Sequence, residues 1–210
     1  SPIEFIDIVE QSELVVKLGN YVIDHVCKQL RDWIDQSIAP PLVAINISPK
    51  HLLQKSFVHD LFLALTKYKI APEMIELELT ETSFMKQPDK AIAVMHELKS
   101  LGVHLAIDDF GCGYSSFQYL KSMPLDKLKI DRSFVKELSH NVDDKIIIQS
   151  LASIAEHMNI TLLAEGVETL EQLSILKSQS VDQIQGYLFS KPLDADKITA
   201  LLIQQDNELY

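Results

Sequence analysis

Short apolar runs alternate with helical segments along the chain, and this order limits the fold more than any other feature of the sequence. In the first helical segment, apolar residues recur at Leu14, Leu18 and Val22, which is the spacing of one helix face. The runs between such segments are short and predict β-strands. Strands that alternate with helices form a parallel sheet covered by helices, so the sequence predicts the α/β class.

The predicted elements follow one another as βα units. Strands are expected at Leu42–Ile47, Met74–Leu79, Val103–Ile107, Lys127–Ile130, Thr161–Ala164 and Gln183–Phe189. Helices are expected at Ser12–Trp33, Phe57–Lys69, Asp89–Ser100, Phe117–Lys121, Asp143–His157, Leu170–Ser178 and Ala195–Gln204. Gly102 follows one of these helices and is expected to be its C-terminal stop.

A polar residue assigned to the strand end lies within, or directly follows, each predicted strand. These residues are Asn46, Glu78, Asp108, Asp131, Glu165 and Gln185. In a (β/α)8 TIM-barrel-like fold they converge on the carboxyl-terminal face, where the active site lies. An open doubly wound sheet also places its site there, but the chain lacks the Gly-x-Gly-x-x-Gly fingerprint of a dinucleotide-binding version. A full barrel has eight strands, so we expect a barrel that lacks its first two strands, with the shortfall at the N-terminus.

Length and composition are those of one globular domain, expected over residues 1–210. The formal net charge of −11 argues against a broad grip on polymeric nucleic acid, but not against a small anion held through metal cations. The two cysteines have no metal-ligand spacing and indicate a reducing cytoplasm. No apolar stretch approaches the roughly 18 residues of a membrane span.

The pair Asp108-Asp109 precedes a glycine-containing loop and is the strongest local indication of a metal site. On a regular strand adjacent residues point to opposite faces. Where the backbone turns toward Gly111, both carboxylates could face one pocket. Carboxylate oxygens suit Mg²⁺ or Mn²⁺, and two such ions about 3.5–4 Å apart can clamp a phosphodiester. An isolated pair of this kind is more often a helix cap or a turn.

Two further strands present polar side chains at period-two spacing. Lys129 and Asp131 share one face, and a lysine inside a barrel needs carboxylate partners. A structural ion pair is the alternative interpretation. Glu76 and Glu78 also share a face, with Glu76 expected to be a solvated partner. None of the seven histidines falls on a motif; His104 is expected at the edge of the core and the others at the surface.

Six motifs, taken in order, resemble the EAL domain family, which binds or hydrolyses cyclic di-GMP. They are Ile45-Asn46-Ile47-Ser48, Leu77-Glu78-Leu79-Thr80-Glu81, Asp108-Asp109-Phe110-Gly111, Leu128-Lys129-Ile130-Asp131, Ala164-Glu165-Gly166-Val167-Glu168 and Gln185-Gly186-Tyr187. The resemblance runs from Pro2 to Leu193. It implies an EAL-type barrel whose two-metal site opens cyclic di-GMP to linear pGpG.

The resemblance also implies a role for each motif residue. The metal ligands are Asn46, Glu78, Asp108, Asp109, Asp131 and Glu165, and the cofactors are two Mg²⁺ or Mn²⁺ ions. Glu165 is a metal ligand or the base, while Lys129 and Gln185 position the attacking water. Glu81 tethers the loop at 110–116, unless it is an exposed loop charge, and Glu168 orders loops.

The chain departs from the family in one respect, because it contains no Glu-Ala-Leu triplet. Either the sequence is a shortened version of a longer protein, which we favour, or it is a natural variant that has lost catalysis. The second case predicts a receptor or protein-interaction module that binds cyclic di-GMP without turnover. A barrel lyase with carboxylates and a lysine at its strand ends is a third possibility, by analogy of fold alone.

The resemblance predicts partners as well. Family members often pair through the helix after the Asp-Asp loop, so a homodimer is expected. An upstream sensory or GGDEF domain is also expected. The chain itself is expected in the cytoplasm, where regions outside this sequence could tether it to the inner membrane.

Overall fold

The computed structural model describes residues 9, 12, 14–81, 87–111 and 117–208. Its strands are β1 Val43–Ile47, β2 Ile75–Thr80, β3 His104–Phe110, β4 Lys127–Ile130, β5 Thr161–Ala164 and β6 Gln183–Ile184. Its helices are α1 Leu14–Asp35, α2 Pro49–Leu52, α3 Phe57–Tyr68, α4 Pro88–Leu101, α5 Phe117–Leu120, α6 Arg132–Lys136, α7 Val142–Met158, α8 Leu170–Ser178 and α9 Ala195–Glu208, with a 3₁₀ turn at Pro72–Met74.

The strands form one sheet in chain order, from β1 to β6. The pairings of β3 with β4, β4 with β5 and β5 with β6 are all parallel. Within the described residues the sheet is open. Parallel strands that are neighbours in both sequence and space, with helices between them, are the pattern of a (β/α) barrel wall. The predicted α/β class is confirmed.

The sequence pattern predicted most element boundaries well, and Thr161–Ala164, Lys127–Ile130 and Leu170–Ser178 are found as predicted. The prediction was wrong for the last strand, which ends at Ile184 and does not reach Phe189. Gly186 begins a turn there, closed by the Phe189 N–H, which donates to the Gly186 carbonyl at 3.1 Å.

The chain divides into two compact units, and the first comprises Ser1–Glu78, Asp89–His104 and Leu193–Tyr210. In this unit the buried face of α1 includes Cys27, Leu30 and Trp33. The Trp33 indole N–H donates to the Thr199 hydroxyl at 2.7 Å, which joins α9 to α1.

One histidine of the first unit contradicts the prediction of surface histidines. His51 is only 1% exposed. Its Nε2 lies 2.8 Å from the Asn20 side-chain oxygen, and its ring meets Phe57 edge-on at 4.6 Å. The ring occupies space that a Cβ at Gly19 would fill. Desolvation by burial lowers the pKa of His51, so its ring is neutral in the core.

The second unit comprises Leu79–Pro88 and Leu105–Pro192 and holds β4, β5 and β6. Leu128, Ile130 and Leu162 are fully buried in its core. Helix α7 turns Ile148 and Ala155 toward this core. None of the described helices is long and apolar enough to cross a bilayer. A single domain over residues 1–210 stays a prediction.

Candidate functional site

Lys129 is the centre of an ion-pair cluster in the second unit. Its ammonium nitrogen lies 2.6 Å from Glu165 Oε1 and 3.0 Å from Asp108 Oδ1. The residue is 3% exposed, whereas both carboxylates retain some access to solvent. Burying a lysine in this way is tolerable because two opposite charges and their hydrogen bonds replace water. The ends of β3, β4 and β5 therefore converge on one charged group.

A bulge in β3 brings its two adjacent aspartates to this cluster. Strand β3 was predicted to end at Ile107, but it continues to Phe110. In its register with β4, Ile107 pairs with Leu128 and Phe110 pairs with Ile130, so β3 carries one extra residue. Asp109 takes a left-handed backbone with φ of 55°. A bulge re-aims side chains that regular alternation would separate.

The bulge brings three carboxylates together. Ligand oxygens of Asp108, Asp109 and Glu165 all lie within 4.8 Å of one another. The pKa of Asp109 is raised to about 6, first by partial burial and then by repulsion from Asp108. Asp131 raises it further by repulsion and a side-chain hydrogen bond, and Glu165 adds a smaller repulsion. The group therefore carries an excess of negative charge over the one ammonium.

The donor set of this cluster fits a hard divalent cation. Carboxylate oxygens are the ligands that Mg²⁺ and Mn²⁺ prefer. Oxygens less than 5 Å apart can share one ion, and the ion would relieve the repulsion that raises the pKa of Asp109.

Asp131 has two functions at the edge of the cluster. It is the N-cap of α6, where its Oδ1 accepts a hydrogen bond from the Ser133 N–H at 2.9 Å. It also raises the pKa of Asp109, by repulsion and by accepting a hydrogen bond from the protonated form of that carboxyl. Its carboxylate therefore stabilises a short helix and contributes charge to the site.

Glu81 lies just after β2 and is buried. Its Oε2 accepts a hydrogen bond from the Gly111 N–H at 3.1 Å. The contact holds Gly111, the second residue of the loop at 110–116 that Glu81 was predicted to tether. Residues 112–116 of that loop lie outside the described residues.

The other predicted ligands, Asn46 and Glu78, lie on β1 and β2 in the first unit. The Asn46 side chain is exposed, and Glu78 is buried. Glu76, which shares the strand face of Glu78, was predicted to be solvated, and this was wrong: it is 3% exposed. Their assignment as metal ligands stays a prediction.

Gln185 and Glu168 lie beyond β6 and β5. Gln185 lines an open cavity of about 490 Å³, together with Leu163 and Phe189. The Glu168 side chain is exposed. The role of Gln185 in catalysis and the role of Glu168 in loop order also stay predictions.

Gln172 is a residue that the sequence analysis missed. It is buried, and its side-chain oxygen accepts the N–H groups of Glu168 and Thr169 at 2.8 and 3.0 Å. Its amide nitrogen donates to the Val135 carbonyl at 3.1 Å, which fixes the loop after Glu165 against α6. The spacing Thr169-x-x-Gln172 is a capping-box signature and was available in the sequence.

Comparisons with known proteins identify the family of this chain. The EAL domain profile matches residues 1–192. Over 200 residues the chain is 35% identical to the bifunctional diguanylate cyclase/cyclic di-GMP phosphodiesterase MucR of Pseudomonas aeruginosa, covering 95% of this chain and 29% of that protein. It is 38% identical over 192 residues to the cyclic di-GMP phosphodiesterase NbdA of the same organism, covering 91% and 24%.

A solved structure of the P. aeruginosa MucR phosphodiesterase in complex with c-di-GMP superimposes with a TM-score of 0.90 at 35% identity. The alignment covers 94% of this chain and 80% of that one. The chain spans less than a third of the length of the two curated relatives. The solved neighbour confirms the predicted TIM-barrel-like fold class. The chain belongs to the EAL domain family.

Proposed function

We propose that this chain hydrolyses cyclic di-GMP to linear pGpG as a metal-dependent phosphodiesterase. The observation that carries the proposal is the clustering of Asp108, Asp109 and Glu165 around the buried ammonium of Lys129. The names of the relatives MucR and NbdA support the same substrate. A chain with a net charge of −11 needs local cations to accept a phosphodiester, and this cluster would hold them.

Two Mg²⁺ or Mn²⁺ ions would be held by side chains from several strands. The proposed ligands are Asn46, Glu78, Asp108, Asp109 and Glu165, with Asp131 near one ion. When bound, such ions polarise phosphoryl oxygens and lower the pKa of water. This chemistry needs no Cys/His ligand set.

The chain's own residues would orient the reactants. Lys129 Nζ, fixed between Asp108 and Glu165, would donate a hydrogen bond to the attacking water and place its oxygen toward phosphorus. Glu165 would accept the water proton at a carboxylate oxygen as the new P–O bond forms. The bond from phosphorus to one ribose 3′-oxygen would break, and that oxygen would leave as the 3′-hydroxyl of pGpG with a proton from solvent. Gln185, which both donates and accepts, would orient the water or the nucleotide. A preorganised charge of this kind acts without rearrangement during the reaction.

The test is to incubate the chain with cyclic di-GMP and Mg²⁺ or Mn²⁺ and to follow pGpG by chromatography. If the gene encodes further residues upstream, the longer product is assayed in parallel. We expect turnover that Asp108→Ala and Glu78→Ala each abolish. Retained activity in either variant would refute the assignment of the substituted residue as a metal ligand. A longer protein that binds the nucleotide without cleaving it would refute the proposal that the chain is an enzyme.

A second function is favoured by one observation, the absence of a Glu-Ala-Leu triplet from the sequence. In that case the chain is a receptor or protein-interaction module that binds cyclic di-GMP without turnover. Calorimetry with cyclic di-GMP in Ca²⁺ separates the two, because a receptor shows binding and no pGpG on transfer to Mg²⁺.

We also propose a setting for this activity. The chain would act in the cytoplasm in bacterial second-messenger signalling, as a homodimer joined to a sensory or GGDEF domain. The support is that the matched relatives are more than three times as long as the aligned region, and that one of them is named as a cyclase as well as a phosphodiesterase.

A further inference from the structure

Gly111 is held between two groups where the chain leaves β3. On one side the Glu81 carboxylate accepts its N–H at 3.1 Å. On the other side lies the ring of Phe134, so close that a Cβ on Gly111 would come within 2.8 Å of Phe134 Cε2 and 3.0 Å of Cζ. The φ of Gly111 is +101°, which residues with a side chain rarely adopt. The aromatic ring therefore rests directly on backbone.

This contact lies two residues from the bulged Asp109, whose φ is 55°. A left-handed non-glycine residue followed closely by a left-handed glycine is a costly backbone, and it persists only where its surroundings fix it. The Asp109 N–H donates to Asp108 Oδ1 at 3.0 Å, which is a local tie only. Phe134 and Glu81 add longer-range contacts to this turn at Gly111.

Phe134 also belongs to the segment that carries the rest of the cluster. It lies on α6, whose N-cap is Asp131, and its N–H donates to the Asp131 carbonyl at 3.2 Å. Lys129 precedes that cap by two residues on β4. One ring thus connects the turn after Asp108 and Asp109 to the strand end that presents Lys129 and Asp131.

We propose that Phe134 is a positioning residue for the metal site: by packing on Gly111 it fixes the Asp109 turn and sets the distance between the β3 carboxylates and the β4 charges. The inference rests on the proposed function only for the presence of metal. Phe134 would touch neither metal nor substrate, and would act through Gly111.

The test measures Mn²⁺ affinity of the whole chain by isothermal titration calorimetry, with no nucleotide present, beside the thermal midpoint without metal. Groups that orient metal ligands typically contribute about 10–100-fold to affinity. We expect Phe134→Ala to weaken Mn²⁺ binding about tenfold and Phe134→Leu to weaken it less, because leucine keeps part of the apolar contact. The leucine variant also serves if the alanine variant does not fold.

Val135→Ala is the matched control, since Val135 is the buried neighbour of Phe134 on the same helix. It should lower the thermal midpoint and leave Mn²⁺ affinity unchanged. Gly111→Ala should weaken binding by forcing a Cβ into the ring. Because the ring is the obstacle to that Cβ, Gly111→Ala should weaken binding less in the Phe134→Ala background than in wild type. The part that remains is the strain of an alanine at a φ of +101°.

Mn²⁺ affinity in Phe134→Ala equal to that of wild type, or an equal loss in Val135→Ala, would overturn the inference. Additive effects in the double variant would also overturn it. A wild-type chain that binds no Mn²⁺ would remove the metal site and this inference together. A wild-type chain that binds Mn²⁺ but leaves cyclic di-GMP intact would overturn the phosphodiesterase alone, because the metal readout for Phe134 needs no turnover.

Discussion

The ends of β3 and β4 both direct two polar side chains to the same cluster, but they do so by different backbone geometries. Strand β4 pairs with β5 in an unbroken register from Lys127 to Ile130. Lys129 and Asp131 are two residues apart and need only regular alternation to share a face. Strand β3 has an irregular register, and its adjacent aspartates need a bulge and a left-handed residue.

The difference teaches that the two halves of the site depend on different parts of the fold. The positions of the β4 side chains follow from strand periodicity, and their main energetic cost is the burial of the Lys129 charge. The β3 half depends on backbone strain that contacts from elsewhere must hold, here those of Glu81 and Phe134 with Gly111. Substitutions at the two ends should therefore have different effects: loss of charge pairing at the β4 end and loss of backbone geometry at the β3 end.

The largest effect is expected on the β4 side, from Lys129→Met. Removing one partner of a buried ion pair typically costs about 3–5 kcal/mol, because the remaining charges lose their counter-ion. We expect urea unfolding without metal at pH 7 to show a loss near the lower end of that range, since Asp108 and Glu165 keep some solvent. Turnover should be lost as well.

Lys127→Met on the same strand is the control for this prediction, because Lys127 is only half-buried. It should change the free energy of unfolding far less. An equal loss in both variants would show that the strand, and not the ion-pair cluster, is sensitive to losing a lysine.

The next effect is on the β3 side and separates backbone from side chain. Asp109→Val places a β-branched residue at a φ of 55°, whereas Asp109→Gly relieves that conformation. A left-handed conformation costs about 1–2 kcal/mol for a residue with a Cβ. Without metal, we expect the valine variant to be less stable than the glycine variant by about that amount.

Both Asp109 variants should bind Mn²⁺ more weakly, since both lose a carboxylate. Equal stability of the two would show that the left-handed turn carries no strain.

The contrast between β3 and β4 also explains what the sequence could predict. The spacing of Lys129 and Asp131, like the bounds of β5, follows from local pattern and agrees with the structure. Nothing local in Ile107-Asp108-Asp109-Phe110 distinguishes a regular strand from a bulged one, because the extra residue is defined only by pairing with β4. The pattern therefore indicated the carboxylates but not how they reach one pocket.

Other misses have the same physical origin. The early end of β6 depends on Gly186 lying against the Val167 backbone, and the burial of His51 depends on the space left at Gly19. These are contacts between segments that are distant in sequence. Gln172 is different, since its capping box was a local signal that went unused.

A smaller effect is expected at Asp131, which belongs to the β4 end but also hydrogen-bonds Asp109. Loss of an N-cap typically costs about 1 kcal/mol, so Asp131→Ala should lower the free energy of unfolding by about that much. Asp131→Asn keeps an oxygen for the Ser133 N–H and should retain stability. It should still weaken Mn²⁺ binding, since it removes a negative charge. Equal stability of the two variants would show that the cap contributes nothing.

The smallest effect on affinity is a pH dependence that follows from Asp109 at the β3 end, whose pKa the carboxylates of Asp131 and Glu165 also raise. The pKa of Asp109 is raised to about 6 from 3.8, so the folded chain holds a proton there that the unfolded chain releases earlier. Stability without metal should therefore fall as pH rises through this window.

Metal must displace that proton, so affinity should rise with pH. At pH 6 about half of Asp109 is protonated, and Mn²⁺ should bind about twofold more weakly there than at pH 7.5. Asp109→Asn should bind more weakly overall but with equal affinity at the two pH values. A twofold change that persists in Asp109→Asn would assign the proton to another group of the cluster.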